Sequence, residues 1–365
     1  MFTKKSRLNQ IYSSVYNPAL YSSKKPIKLQ YSTITEALFK KKHVYYYPYG
    51  RFALQNGLEA LGIQKGDRIL LPGFICRDLL SSIVSLGALP IFYKVDEKLL
   101  LAEELFTFKG IKAVIAVNYF GFPQELSPFK EFTKKEGIPL IEDNAHGFLS
   151  CSEDGVYLGT RTDIGIFSIR KTLPIYYGAA LLINEEGKLK KTLQQNAFST
   201  KKKPLSFLVK KGIRHLVPLF GPGFILASIY ATRQLRKWRY GYEIAPSAKD
   251  AEERLPTPGQ LSYSPVPDIN SSATWKERDR RRDLYAFSHS LLNGVEGVKP
   301  IYGLLPDHIV PYAYPFFANS AGIDLAKKIL RKYYLECFPW PELPTQIQGT
   351  APSFYKSVWA VRFLW

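Results

Sequence analysis

The sequence predicts an α/β protein of two domains, the larger of which is built on a mostly parallel sheet with helices on its faces. Three observations lead to this prediction. Between about residues 50 and 185, short apolar runs alternate with segments of helical periodicity, which is typical of strand–helix–strand units. The chain has 365 residues, more than one hydrophobic core usually supports. A polar, proline-rich stretch at residues 247–267 then indicates a boundary between two regions.

The larger domain is predicted to cover residues 1–245. Its strand-like runs are RILLP, PIFYKV, KAVIAV, PLIED, IGIFSI and GAALLIN, at residues 68–72, 90–95, 112–117, 139–143, 164–169 and 178–184. The helical segments between them each end on a glycine, as helices commonly do, and they lie at residues 52–62, 78–87 and 125–137. Such alternation implies right-handed crossovers and a parallel sheet, whose active site lies at the carboxyl ends of the strands.

A smaller α+β domain is predicted for residues 246–365. A long helix is expected from Ser272 onward. The runs YGLLP and IVPYAYPFFA, at 302–306 and 309–318, indicate strands, and the segment GIDLAKKILRKYYLE at 322–336 indicates another helix.

The positive charge of the chain is concentrated in one segment. The formal net charge is +19, and residues 187–242, a basic connector, contain many Lys and Arg but no Asp or Glu. Such a field attracts phosphate groups, whether on a nucleotide-linked substrate, a nucleic acid or an anionic membrane. A solvated basic surface without a partner is the plainer alternative. Nucleic acid is not expected, because no known binding motif accompanies the charge.

The cysteines and the apolar runs exclude several classes of protein. Cys76, Cys151 and Cys337 have neither metal-site nor disulfide spacing, which fits a reducing cytoplasm. The N-terminus lacks the apolar core of a secretory signal. The nearest candidate for a membrane span, residues 216–231, is shorter than the roughly 20 residues required and is broken by Pro and Gly. We therefore expect a cytoplasmic protein without a bound metal.

Candidate site residues stand at three predicted strand or helix ends. They form the pairs Asp143 with His146, Ser168 with Lys171, and Gly50 with Arg51. Pyridoxal-phosphate chemistry needs such a set: a lysine amine for the Schiff base, a carboxylate beside the pyridine nitrogen, and a seat for the phosphate. The first-turn amides of the helix after Tyr49 can form that seat. Each pair alone has a plainer explanation as a turn, a surface lysine or a helix start. Their order and spacing together favour the cofactor.

The segment from residue 49 to 184 resembles the DegT/DnrJ/StrS sugar aminotransferases, which are pyridoxal-phosphate enzymes of fold type I. The resemblance is carried by YGR and the helix after it, and then by LGIQKGDRILLPGFIC, LGALPIFYKVD, AVNYFGFPQEL, GIPLIEDNAHGF and LGTRTDIGIFSIRKTLPIYYGAALLIN. It implies the fold type I architecture and a catalytic set of three residues. Lys171 would be the Schiff-base lysine, Asp143 the partner of the pyridine nitrogen, and His146 a neighbour of the ring oxygen.

The resemblance also implies a phosphate site. Ser168 and the amides of Gly50 and Arg51 would hold the phosphate. Two departures from the family pattern lie here. Arg51 stands where a small hydroxyl residue is usual, although a guanidinium can itself bind phosphate. The loop from Ser168 to Lys171 is shorter than in most members.

Two further departures concern the ring and the end of the chain. The aromatic residue that commonly stacks on the cofactor ring corresponds to Cys76, with Phe74 as the nearest substitute. Family members usually continue beyond the segment that ends at Trp365, so the small domain is expected to lack its last segment.

By resemblance, the expected function is transfer of an amino group to a nucleotide-linked keto sugar, for amino-sugar or surface-polysaccharide synthesis. Glutamate would be the amino donor, and the cofactor site would lie across a homodimer interface. Two alternatives remain. A sugar dehydratase keeps the cofactor but commonly replaces the lysine with His, so Lys171 argues against it. A catalytically weak scaffold or membrane-surface protein would use the segment at residues 210–239 as its interfacial element.

Overall fold

The computed structural model describes residues 33–40, 42–194, 247–257, 264–333 and 335–363, together with short pieces between 205 and 241. Most of the basic connector, including residues 201–203, and nearly all of the apolar run 216–231 lie outside the described residues. Within the described ranges, no helix is both long and apolar enough to cross a membrane.

The larger sheet has seven strands in the order β1-β7-β6-β5-β4-β2-β3. Their bounds are His43–Tyr47 (β1), Arg68–Pro72 (β2), Leu89–Tyr93 (β3), Ile111–Val117 (β4), Leu140–Asn144 (β5), Ile164–Phe167 (β6) and Ala179–Ile183 (β7). Strands β2 to β6 pair in parallel, whereas β7 runs antiparallel to both β6 and β1. The predicted mostly parallel sheet is therefore confirmed, and β1 is a strand that the apolar runs did not indicate.

Helices connect and cover these strands. They are α1 (Ile34–Phe39), α2 (Gly50–Ala60), α3 (Ser81–Val84) and α4 (Ser127–Glu136). Helix α4 ends on Gly137, whose φ of 66° is the left-handed conformation that glycine adopts most easily. The segment predicted as a helix at 78–87 is helical over Arg77–Val84, but as a 3-10 turn, Arg77–Leu80, that continues into the single turn of α3.

Strand β7 shows how both faces of the sheet are buried. Successive side chains point to opposite faces of a strand. Ala179, Leu181 and Ile183 accordingly join the core beneath α2, whereas Ala180 and Leu182 join a second cluster. All five are buried, as expected for a sheet with both faces covered.

The C-terminal part forms a separate four-stranded antiparallel sheet in the order β10-β11-β9-β8. Its strands are Val298–Pro300 (β8), Ala313–Ala318 (β9), Cys337–Pro339 (β10) and Val358–Arg362 (β11), and its helices are Val266–Ile269 (α5), Ser272–Leu292 (α6) and Ser320–Arg331 (α7). The long helix from Ser272 is confirmed. The strand predicted at 302–306 is wrong, because Tyr302 instead stacks on Phe122 in an irregular segment that contains Gly303 and Pro306. The domain boundary after residue 245 stays a prediction.

Candidate active site

The carboxyl ends of β2, β4, β5 and β6 surround one cavity of about 270 Å³. This is the place where a parallel sheet collects its functional loops. The cavity is lined by every residue that the sequence predicted for the site, namely Gly50, Arg51, Cys76, Asp143, His146, Ser168 and Lys171. Residues from four separate stretches of the chain are thus brought together.

Asp143 stands at the end of β5 as a buried carboxyl group. Asp143 is 5% exposed, and its Oδ1 accepts a hydrogen bond from the backbone N–H of Ala145 at 2.9 Å. Burial raises the pKa of Asp143, while the Ala145 N–H and the charge of Lys171 act in the opposite direction. A buried carboxylate is best stabilised by a cationic partner. Asp143 is therefore suited to hold a protonated ring nitrogen.

Lys171 and His146 form a direct pair, with Nζ and Nε2 3.1 Å apart. On its other side, His146 accepts a hydrogen bond at Nδ1 from the backbone N–H of Phe120, at 3.3 Å. A neutral imidazole carries only one proton, so this contact places the proton on Nε2. Nε2–H then donates to Nζ, and an amine can accept a hydrogen bond only when it is neutral.

The electrostatic surroundings favour the same protonation state. Burial, chiefly, lowers the pKa of Lys171, and the positive charges of Arg170 and Arg51 add to this effect against the opposing charge of Asp143. Burial also lowers the pKa of His146 well below its ordinary value. A neutral lysine amine is the nucleophilic form. The cavity therefore holds a lysine prepared for attack on a carbonyl group.

The backbone at Phe120 is shaped to support this pair. Phe120 has φ 55° and ψ 12°, a left-handed conformation that is uncommon for a bulky residue. Gly121 follows with φ 98°, and a Cβ built there would lie 2.5 Å from the carbonyl oxygen of Val310. The strained turn after β4 thus brings the Phe120 N–H to His146. Strain of this kind persists only where the surrounding structure enforces it.

The predicted phosphate seat lies at the start of α2. Tyr49 is the N-cap and contributes no side-chain cap, and the first intrahelical bonds of the helix are donated by Phe52 and Ala53. The amides of Gly50 and Arg51 therefore precede the hydrogen-bonded part of the helix, at its positive end. A Cβ built on Gly50 would lie 3.8 Å from Cβ of Ser168, so the serine stands beside this turn.

The aromatic residues of the cavity differ from those expected. Phe74 is fully buried behind the lining, against Tyr119 and Trp340, and does not itself line the cavity, so it does not substitute for Cys76. Burial raises the pKa of the Cys76 thiol. The C-terminal part supplies aromatic rings instead: Tyr312 stacks on His146 at 4.2 Å with an interplanar angle of 12°, and Trp340 also lines the cavity.

A buried guanidinium fastens the lysine loop to α6. Arg281 donates to the carbonyl oxygens of Lys171 at 2.8 Å, Thr172 at 3.1 Å and Tyr312 at 2.9 Å. Its Nε donates to Glu277 at 2.7 Å, and both side chains are fully buried. The loop that carries Lys171 is thus held from the C-terminal part of the chain.

The family of the chain follows from a match over half its length. Residues 23–212 match the model of the DegT/DnrJ/EryC1/StrS aminotransferase family. The chain belongs to this family. Its members are pyridoxal-phosphate enzymes, and the cofactor predicted from the sequence is confirmed at this level.

Two curated relatives match part of the chain. The GDP-perosamine synthase of Vibrio cholerae is 29% identical over 163 residues, 43% of this chain and 44% of the relative. The L-glutamine:2-deoxy-scyllo-inosose aminotransferase of Streptomyces kanamyceticus is 32% identical over 129 residues, 34% of this chain and 30% of the relative. The matched stretches thus span less than half the length of either relative.

Solved structures of family members share the fold. The aminotransferase TlmJ from Streptoalloteichus hindustanus superposes with a TM-score of 0.57 at 18% identity, over 97% of this chain and 84% of that chain. NtdA from Bacillus subtilis, with bound pyridoxamine phosphate, gives 0.56 at 13% identity, over 99% and 79%. A GDP-4-keto-6-deoxymannose-3-dehydratase also gives 0.56, at 16% identity over 90% and 85%. The fold alone therefore does not separate amino transfer from dehydration.

The residues of the cavity fit the family cofactor. Among the described residues, four buried side-chain atoms lack a hydrogen-bond partner, and two of these, Asp78 Oδ1 and Arg170 Nε, belong to residues of the cavity lining. An unpartnered buried polar atom is costly, which indicates that a ligand completes the site. Free helix amides, a buried carboxyl and a neutral lysine amine match the phosphate, ring nitrogen and aldehyde of pyridoxal phosphate.

Several lining residues were missed by sequence reasoning. Arg170 had a usable signal, because a second cation directly precedes Lys171 in a strand-end loop. Asp78 had a weaker one, as an acid shortly after β2. Tyr312 and Trp340 had none, since nothing local in the sequence connects them with the strand ends of the larger sheet.

Proposed function

We propose that this protein is an aminotransferase that passes an amino group to the ketone of a sugar, which is nucleotide-linked, in amino-sugar or surface-polysaccharide synthesis. The observation that carries the proposal is the contact of 3.1 Å between Lys171 Nζ and His146 Nε2 in the buried cavity that contains Asp143. Family membership and the names of the two curated relatives support a sugar or cyclitol ketone as the substrate.

The chain's own residues divide the work. Lys171 Nζ would hold the cofactor through its aldehyde and, when free, would carry the substrate proton. His146 orients Nζ through Nε2–H and keeps its own orientation through Phe120 and the Tyr312 ring. Asp143 would keep the ring nitrogen of the cofactor protonated by charge pairing. When bound, pyridoxal phosphate supplies the electron sink for the reaction.

The low solvent exposure of the cavity residues supports this chemistry. Asp143, His146 and Ser168 are each no more than 5% exposed, so water has little access to them. Charge interactions are stronger in such surroundings than in water. The amino donor is proposed to be glutamate, whose amino group is transferred in a first half-reaction. The sugar ketone then receives it in a second.

A covalent-capture experiment tests the proposal. The purified protein is incubated with pyridoxal phosphate, reduced with borohydride, digested and examined by mass spectrometry for the labelled lysine. Label on Lys171 is expected, and Lys171→Ala should abolish it while the far-ultraviolet circular dichroism stays unchanged.

Lys42 offers a matched control. Its amine donates to Asn184 at 2.7 Å, and burial lowers its pKa as well, but it lies outside the cavity lining. Lys42→Ala should keep the label on Lys171. If the protein is not labelled, or the label persists in Lys171→Ala, the proposal is wrong.

Product analysis separates amino transfer from dehydration. For this test the enzyme is loaded with pyridoxal phosphate but not reduced, it is incubated with glutamate and a panel of nucleotide-linked keto sugars, and the products are identified by mass spectrometry. A product in which an amino group replaces the keto oxygen is expected. Loss of a hydroxyl group without retained nitrogen would instead support the dehydratase alternative, against which the presence of Lys171 argues.

The assembly and the location of the protein are proposals of the same kind. The family resemblance led us to expect a homodimer, and the cysteine pattern and the N-terminal sequence led us to expect a cytoplasmic enzyme. Sedimentation of the purified protein and fractionation of cells test these two expectations directly. A monomer that is fully active would contradict a site shared between subunits.

A further inference from the structure

The cations of the cavity are not equivalent. Arg51 is balanced by Asp78, with Nη2 and Oδ2 3.4 Å apart. Lys171 is neutral by the hydrogen-bond argument given above. Within the part of the chain that the structure describes, no carboxylate lies at ion-pair distance from Arg170, and its buried Nε has no hydrogen-bond partner. The charge of Arg170 is therefore the one that the cavity leaves open for an anion.

The position of Arg170 relates it to the phosphate seat. It lies in the 3-10 turn Ile169–Lys171, and its backbone N–H donates to Gly178 at 3.0 Å. Its guanidinium carbon lies 4.8 Å from the centre of the Tyr49 ring, and Tyr49 is the residue before Gly50. The guanidinium is thus held against the residue from which α2 starts, and it lines the same cavity as Ser168.

Resting on the proposed function, we infer that Arg170 binds the phosphate of the cofactor through its guanidinium. It completes the seat formed by Ser168 and the amides of Gly50 and Arg51. A guanidinium presents several N–H donors in one plane and suits a phosphate better than any other side chain. The side chain of Arg51, being paired with Asp78, contributes less, and only its amide belongs to the seat.

The inference also explains the charge pattern of the cavity. With Arg51 and Asp78 balancing each other, the remaining charges are the carboxylate of Asp143 and the guanidinium of Arg170. Pyridoxal phosphate carries its proton on the ring nitrogen and its negative charge on the phosphate. The two charges of the cavity therefore match the two charges of the cofactor. Arg170, which lies within the short loop between Ser168 and Lys171, would also supply a phosphate contact from that loop.

The test compares the cofactor with its phosphate-free analogue. Dissociation constants of pyridoxal phosphate and of pyridoxal are measured by equilibrium titration of the full chain and of the variants Arg170→Gln and Arg51→Gln. Charge-assisted hydrogen bonds contribute about 1.5–3 kcal/mol, so Arg170→Gln should weaken pyridoxal phosphate about 10- to 100-fold. Its affinity for pyridoxal should fall much less, by no more than the accompanying rise in the pKa of Lys171 accounts for.

The control variant and the outcomes are specific. Arg51→Gln should weaken pyridoxal phosphate by less than about fivefold, as for a partly exposed ion pair. Equal weakening of pyridoxal and pyridoxal phosphate in Arg170→Gln would show a structural role and overturn the inference, as would an unchanged ratio of the two constants. If Arg51→Gln weakened pyridoxal phosphate as much as Arg170→Gln does, Arg170 would have no special role at the phosphate, and the inference would be overturned.

Two further measurements keep the result interpretable. If Arg170→Gln does not fold, Arg170→Lys replaces it, which keeps the charge but loses the planar donors and should show an intermediate, phosphate-dependent loss. An unchanged affinity ratio in that variant would also overturn the inference. If the unaltered protein binds neither compound, the proposed function itself fails, and this outcome is distinct from a failure of Arg170 alone.

Discussion

The guanidinium of Arg281 donates a hydrogen bond of 2.8 Å to the carbonyl oxygen of Lys171, although 110 residues separate the two in sequence. The loop of the reactive lysine is therefore held by a helix of the C-terminal part. Arg281 is in turn fixed by Glu277, which also pairs with Arg280 at 2.6 Å. All three charged side chains are fully buried.

Removing this contact should destabilise the protein strongly. Arg281→Met leaves the carbonyl oxygens of Lys171 and Thr172 without a donor and removes one partner of a buried carboxylate. Breaking a buried ion pair of this kind costs about 3–5 kcal/mol, so the free energy of unfolding in urea should fall by that amount. Arg278→Met, on the same helix, removes a more exposed pair with Asp279 and should cost less than about 1 kcal/mol. Equal losses in both variants would contradict a special role for Arg281.

The pKa of Lys171 should shift in opposite directions in two variants. The carboxylate of Asp143 raises this pKa and the guanidinium of Arg170 lowers it. We therefore expect the pKa to fall in Asp143→Asn and to rise in Arg170→Gln. The measurement is the pH dependence of reductive methylation at Lys171, followed by mass spectrometry, with Lys42 in the same digest as the reference. Shifts of the same sign in both variants would show that burial, and not charge, dominates the change.

His146 should remain neutral with its proton on Nε2. Its pKa is lowered well below the ordinary value by burial and by the charges of Lys171 and Arg281. Nitrogen NMR of histidine-labelled protein, assigned with His146→Asn, should show an unprotonated Nδ1 and no titration from about pH 5.5 to about pH 8. A proton on Nδ1 would mean that the Phe120 N–H does not donate to this ring.

Asp143→Asn should separate binding from turnover. The phosphate seat and Lys171 remain in this variant, so pyridoxal phosphate should still be captured on the lysine. Turnover with glutamate should fall by orders of magnitude, because the neutral amide no longer keeps the ring nitrogen protonated. Asp78→Asn is the comparison, since it changes a carboxylate of the same cavity that lies beside Arg51. Near-normal turnover in Asp143→Asn would remove this residue from the site.

The predictable part of the site is local in sequence. Asp143 with His146 and Ser168 with Lys171 each follow a buried strand within a few residues, and the carboxyl ends of parallel strands meet at one edge. The apolar runs therefore determined both the sheet and the place of these side chains. Strand β1 was not predicted because its residues, HVYYY, are mostly half-exposed at an edge of the sheet. They pair antiparallel and form no continuous apolar run.

The unpredictable part depends on contacts distant in sequence. Tyr312 reaches His146 only because the C-terminal sheet packs on the ends of the larger one, and no periodicity reports such packing. The same holds for Arg281, whose segment, RDRRRD, has the composition of an exposed charged helix face. The structure shows that two of its arginines are fully buried because Glu277 stands one turn earlier.

The pairing of β1 with β7 has a consequence for biosynthesis. The register joins Tyr47 to Ala179, so the start of α2 is brought to the lysine loop only when a strand made more than a hundred residues later has been added to the sheet. Chains grow from the N-terminus at about 5–20 residues per second, so these two parts emerge from the ribosome several seconds apart. Arg281, which donates to the carbonyl oxygen of Lys171, is synthesised 110 residues after the lysine and emerges later still. A nascent chain can therefore hold its cofactor in the finished arrangement only after the helix that carries Arg281 has been released, which makes cofactor capture a late event in the life of the polypeptide.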